Sequence, residues 1–210
     1  NQDFLVLGGV PLPLMSPPCT TPLWCLVLVP GHKFAGAGSL PEYQTKRKQG
    51  DVTQLTIQID DANYGGLVGS CLVGAVRVEE PATFQTVTLP IGLFQGDAYA
   101  CGDYLQAAAD AALQLVTAVL DVPADEEILV CQGYIFSLVQ ETLTAAGYTN
   151  VHCGKIGEPM QLLIERAATD YLTGLGVPGI TPGMPFGLHF FKCLQWLKGG
   201  NVNGTTSASR

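Results

Sequence analysis

From Asp51 onward the chain alternates between two spacings of apolar residues. Leu55, Ile57 and Ile59 alternate with Thr56, Gln58 and Asp60, the repeat of a strand with one buried face. Gly65, Gly66 and Gly69 then supply the backbone freedom that a turn needs. "SCLVGAVRVEE" reads as a second strand and "ATFQTVTLPIGLF" as a third. Three consecutive strands with short links predict an antiparallel meander.

The spacing then lengthens. In "DYLQAAADAALQLVTAVL", Leu105, Ala108, Ala112, Val116, Val119 and Leu120 recur at helical intervals with no proline or glycine between them. "EEILVCQGYIF" is a buried strand, "SLVQETLTAAGY" a helix that Gly147 stops, and "NVHCGKI" a fifth strand. "EPMQLLIERAATDYLTGLG" is a third helix, with Pro159 at a first-turn position that tolerates it. An amphipathic piece, "PFGLHFFKCLQWLKGG", precedes a polar tail, "NVNGTTSASR". A meander followed by strand–helix–strand crossovers predicts one five-stranded mixed sheet in an α/β domain over residues 51–176, with helices on both faces. The crossovers should be right-handed.

The leader differs from the rest. "GGVPLPLMSPPCTTP" is dense in proline, and each proline removes a backbone donor. Residues 1–50 are therefore expected to be a poorly ordered extension with at most a short strand at Trp24–Val29, and residues 177–210 a C-terminal helix and tail. "PLWCLVLVPGHKFAGAGS" lacks a basic start and is not read as a signal peptide.

At 210 residues with a hydrophobic fraction of 47%, the chain can bury a core. Its net charge of −8 opposes nonspecific attraction to nucleic acid or anionic membrane. Between Asp51 and Leu175 three basic residues (Arg77, Lys155, Arg166) face sixteen acidic ones, a net of −13. The seven cysteines form no CxxC pair, and an odd number suits no disulfide framework. Cys71, Cys131 and Cys153 lie in apolar runs, where a thiol behaves as a small hydrophobe. A cytoplasmic protein is expected, and no run has the roughly 18 apolar residues of a membrane span. A homo-oligomer is compatible with this composition.

The candidate chemistry begins at "IDDANYGG", where Asp60 and Asp61 close the first strand. Carboxylates are costly to bury unless paired, hydrogen-bonded or bound to metal. The pair either bonds the amides of the following turn or holds an ion. Strands one, four and five should run parallel, so their C-terminal ends share one sheet edge. The last helix starts where strand five ends, which brings Glu158 to that edge and leaves Glu165 about two turns further along.

The element order and these residues resemble the ribonuclease H-like superfamily over roughly residues 52–175. Family members carry an acid near the end of strand one before a glycine-rich hairpin, as Asp60 does here. They carry a second early in the first helix, where "GDYLQ" offers Asp103, and a last one near the start of the final helix, where Glu158 or Glu165 stands. At the end of strand four, where the family has an acid, "ILVCQGYIF" has Gln132. The resemblance implies a metal-dependent nuclease or related phosphoryl-transfer enzyme acting on nucleic acid. Asp60, Asp103, Glu158 and Glu165 would carry the chemistry, and Asp60, Asp61, Asp103, Gln132 and Glu158 would hold Mg²⁺ or Mn²⁺. Because an amide brings no negative charge, the alternative is a non-catalytic ribonuclease H-like binding or assembly module.

Each acid also has a purely structural reading. Asp103 suits the positive end of a helix, and Glu158 beside Pro159 is an ordinary helix start. His32, His152 and His189 show no ligand spacing, and His152 in its strand reads as a core residue. No phosphate-cradling GxxxxGK[ST] or GxGxxG motif occurs, which disfavours a nucleotide-binding α/β domain. Lys46, Arg47 and Lys48, ahead of strand one, read as a solvated loop and are the one place suited to meet a phosphate backbone.

Overall fold

The computed structural model describes residues 56–199, apart from the side chain of Phe186. The proline-rich leader, the strand expected at Trp24–Val29, the Lys46–Lys48 triplet and the polar tail lie outside the described residues.

Five strands form one mixed sheet: β1 (Thr56–Ala62), β2 (Leu72–Arg77), β3 (Glu80–Thr88), β4 (Glu127–Cys131) and β5 (Val151–Gly154). Their order across the sheet is β3-β2-β1-β4-β5. β1 pairs antiparallel with β2, and β2 with β3, while β4 runs parallel to both β1 and β5. This is the meander and crossover arrangement that the spacing of apolar residues predicts. The third strand is shorter than its apolar run suggests. It ends at Thr88, because Pro90 leads into a 3-10 turn, Ile91–Phe94, and a short helix α1, Gly96–Cys101.

Alternation in β1 divides the core. Ile57 and Ile59 face one side of the sheet, where α2 (Asp103–Gln114) and α3 (Val139–Ala145) cover them with Ala108, Ala112, Val139 and Leu143. Four buried alanines on α2 let its backbone lie close to the strands. The helix then passes through a π turn, Leu115–Val119, before β4.

On the opposite face, α4 (Met160–Gly174) buries Met160 and Ile164 against Leu72 and Val76. Gly74 makes this approach possible. A Cβ there would meet Ile164 Cδ1 at 2.9 Å, Met160 Cε at 3.0 Å and Phe84 Cε2 at 3.0 Å. The C-terminal helix α5 (Phe186–Lys198) uses Cys193, Trp196 and Leu197 to pack with Val68, Leu172, Val177 and Ile180. No helix among the described residues is long and apolar enough to cross a membrane.

Two expectations about the strands need correction. His152 is exposed, with Nε2 2.7 Å from Asn150 Oδ1, and is no core residue. Cys153 is exposed as well. Both lie on β5, an end strand with a strand neighbour on one side only, so the apolar flavour of "NVHCGKI" does not translate into burial.

Candidate functional site at the C-terminal edge of β1

Asp60 and Asp61 occupy consecutive positions near the end of β1, so their side chains leave the sheet on opposite faces. Asp60 points toward α4. The pairing of Ile59 with Val130 places Asp60 beside Cys131, whose thiol hydrogen-bonds to the carboxylate. Asp60 Oδ1 also accepts from the Asp61 backbone N–H at 2.9 Å. Burial raises the Asp60 pKa above the usual aspartate value, and the nearby negative charge of Glu165 adds to the rise.

Asp61 points toward α2. The Cys71 thiol lies 3.9 Å from Asp61 Oδ2, and the Tyr64 backbone N–H donates to the same carboxylate. Burial first, and the charge of Asp60 second, push Asp61 up to about 7. The loss is mutual: burial and the carboxylates push Cys131 up to about 12 and Cys71 well above its ordinary value. Neither thiol is a ready thiolate nucleophile.

The glycine-rich link after β1 is held in shape by Asn63. It adopts φ 67° and donates through Nδ2 to the carbonyls of Val68 at 2.7 Å and Ser70 at 3.1 Å. Asn tolerates this left-handed backbone better than most residues do. The Ser70 N–H donates to the Tyr171 hydroxyl at 3.1 Å, which ties the link to α4. Gly133, just past β4, backs Asp61: a Cβ there would stand 3.4 Å from Asp61 Oδ1.

The remaining candidates differ in their relation to this edge. Glu165, half-buried on α4, is the acid whose charge Asp60 feels. Glu158 is exposed and precedes the helix, which begins at Met160. Met160, the first residue of α4, is fully buried over Gly74, and Glu165 in the second turn carries the charge that Asp60 feels. Asp103 opens α2, and Gln132 is exposed directly after β4. Among the described residues, the groups acting on Asp60 and Asp61 are each other, Glu165, Cys131, Cys71 and Tyr64; Asp103 and Glu158 are not among them.

The sequence singled out neither thiol as a partner of the acids. The strand register joins them: Ile59 lies opposite Val130, so the residues that follow, Asp60 and Cys131, are neighbours. Among the described residues, the basic residue nearest in sequence is committed elsewhere. Arg77 pairs with Glu126 and donates to the Leu120 carbonyl at 3.1 Å. It stands opposite Ile57, toward the far end of β1.

The donor set can be tested against the divalent ion that the resemblance implies. Asp60 and Glu165 offer hard oxygens on one face of the sheet edge. Mg²⁺ commonly takes one or two carboxylates and fills its shell with water and substrate phosphate. Two carboxylates are the number such an ion commonly takes from a protein. Asp103 and Glu158 are not among the groups acting on Asp60, and among the described residues no set of three or more His, Cys, Asp or Glu side chains is placed to hold a metal. Compared with models of known protein families the chain matches none, and no curated protein matches it.

Proposed function

We propose that this chain is a ribonuclease H-like domain that cleaves phosphodiester bonds of nucleic acid at the C-terminal edge of β1. The observation that carries the reading is that the negative charge of Glu165 on α4 reaches Asp60 near the end of β1. The negative charge of Glu165 adds to the raised proton affinity of Asp60, and a divalent cation there would relieve that repulsion. A bound Mg²⁺ or Mn²⁺ would polarise the phosphoryl oxygen and offset the charge that develops on it. Asp60 and Glu165 would hold it. Asp61, held on the other face by Tyr64 and Cys71, keeps the end of β1 in place. Gln132, exposed at the end of β4, offers an amide that can hydrogen-bond a phosphate or sugar without adding charge.

The test is cleavage of labelled single-stranded, duplex, hybrid and branched nucleic acids with Mn²⁺. It compares wild type with Asp60→Asn, Glu165→Gln and Gln132→Glu. Metal-dependent cleavage lost in the first two variants supports the reading. No cleavage by wild type or Gln132→Glu on any substrate sinks it.

The second reading, a non-catalytic binding or assembly module, is favoured by one specific feature. Asp60 already accepts a thiol hydrogen bond from Cys131 where the family would place a further acid nearby. Under that reading the Gln132→Glu protein is inert too and melts at a lower temperature, because a like charge has been added beside Asp61.

A further inference from the structure

The two ends of the sheet are finished differently. β5 is four residues long. The Ile128 N–H donates to the Asn150 carbonyl, so by alternation the main chain of Val151 faces outward. Gln140 on α3 donates through Nε2 to the Val151 carbonyl at 3.1 Å, so a side chain already guards that edge. β3 is nine residues long and, among the described residues, pairs with β2 alone. Pro81 and the register shift between Ala75 and Arg77 blunt its first half. The second half is regular: Gln85, Thr86, Val87 and Thr88 stand opposite Ala75, Gly74, Val73 and Leu72.

The Leu89 N–H donates to the Cys71 carbonyl at 2.8 Å. In an antiparallel ladder alternate residues turn their main-chain groups to the partner strand. Leu89, Val87 and Gln85 therefore bond β2, and Thr86 and Thr88 present N–H and C=O outward. From Pro81 to Gln95 the chain carries no charged residue, although its net charge is −8. Open edges are ordinarily protected by charge, proline or a bulge, and Gln85–Thr88 has none of these.

We propose that the outer edge of β3 pairs with the same edge of a second copy of this chain, antiparallel about a two-fold axis at Val87, so that the two sheets become one. A two-fold contact uses the same patch on both subunits. In this register Thr86 lies opposite Thr88 of the partner subunit and Thr88 opposite the partner's Thr86, and their outward N–H and C=O groups satisfy one another. Val87 is fully buried in its own subunit, so the contact is made by the main chain and by the threonine pairs on the α4 side. An acidic chain is repelled by its own copy. On this strip no charge meets a like charge, which is what favours a second copy as the occupant. The proposal is independent of the cleavage reading: the two β1 strands would lie roughly 24 Å apart across the joined sheet, at about 4.8 Å per strand, and each Asp60 edge stays within one subunit.

The experiment measures the mass of the full chain by light scattering over a range of concentrations, at about 50 and 300 mM salt. Wild type is expected to reach twice the mass of one chain, and to do so at lower concentration in high salt, where self-repulsion is screened. Thr86→Pro removes an outward N–H and leaves the ladder to β2 intact. It should halve the mass while keeping the far-UV spectrum of wild type, and Thr86→Val, which keeps the N–H, should remain a dimer. The double variant Thr86→Cys with Thr88→Cys should form a covalent dimer on mild oxidation, because facing residues of such a pair have Cα atoms about 5.5 Å apart. Thr86→Cys alone should cross-link no more than wild type. Should Thr86→Pro fail to fold, the cross-link decides. A wild type that stays monomeric overturns the proposal, and slow hydrogen exchange at Thr86 and Thr88 in that monomer would assign the edge to another segment of the same chain. A dimer that survives Thr86→Pro and gives no cross-link in the double variant lies elsewhere and overturns it. So does a dimer that weakens as salt rises, since opposite charges would then hold it.

Discussion

Glu165 on α4, and not Glu158 ahead of it, acts on Asp60 at the end of β1. Two elements far apart in sequence thus meet through charge rather than through a hydrogen bond. Replacing Glu165 with Gln removes a charge that raises the Asp60 pKa, so the Asp60 carboxyl should titrate lower. Glu158→Gln should leave it unmoved. Carboxyl ¹³C chemical shifts followed against pH in the two variants check this directly; equal effects would mean that the approach of α4 to β1 is not as described.

A cation held by Asp60 and Glu165 stabilises the native state by mass action. Millimolar Mg²⁺ or Mn²⁺ should raise the melting temperature of wild type by a few degrees, about the response to 1 kcal/mol in a domain of this size. Asp60→Asn and Glu165→Gln should each abolish the shift, while Asp103→Asn and Glu158→Gln should retain it. Loss of the response in Asp103→Asn would move the site toward α2.

Stability in EDTA should depend on pH through Asp61. Its proton affinity is raised on folding, from the model-peptide value of 3.8 to about 7. Its protonated form is the one the fold prefers, so its contribution is fully present below pH 3.8 and is lost as pH rises through about 7. Asp61→Asn mimics the protonated state and can still accept from Cys71. It should be more stable than wild type at pH 8, by on the order of 1–3 kcal/mol, and no more stable near pH 4. Urea melts at the two pH values measure the difference, and an equal difference at both would refute the assignment.

Gly74 faces Asp60 across the β1–β2 pair and lies beneath α4. Gly74→Ala forces a methyl group into contacts near 3 Å with Ile164, Met160 and Phe84. Overpacking of this kind costs typically about 1–3 kcal/mol. It should also push α4 outward and weaken the metal response, because Glu165 travels with Ile164. Gly65→Ala, at φ 75° but with no atom within 4 Å of the added methyl, should lose stability through backbone strain alone and keep the metal response.

Much of the architecture was legible in the sequence because strands and helices write different spacings of apolar residues. Ile57 and Ile59 in β1 and the alanines of α2 announce their faces locally, and the meander needs only short links. The acids at the end of β1 were legible for the same reason: a strand's alternation places Asp60 and Asp61 on opposite faces whatever surrounds them. What local spacing cannot report is how a helix lies on a sheet. The absence of a side chain at Gly74 sets how closely α4 approaches β2, and the packing of Met160 over it takes up the first turn, which brings Glu165 to Asp60 and leaves Glu158 in solvent. Likewise only the parallel register of β1 with β4 puts the Cys131 thiol on Asp60. Burial of β5 failed to follow from its sequence because an end strand has a neighbour on one side only, and His152 and Cys153 face solvent in spite of their apolar company. Sequence spacing determined which face each residue takes; tertiary packing alone decided which faces meet, since that depends on close contacts between residues far apart in the chain.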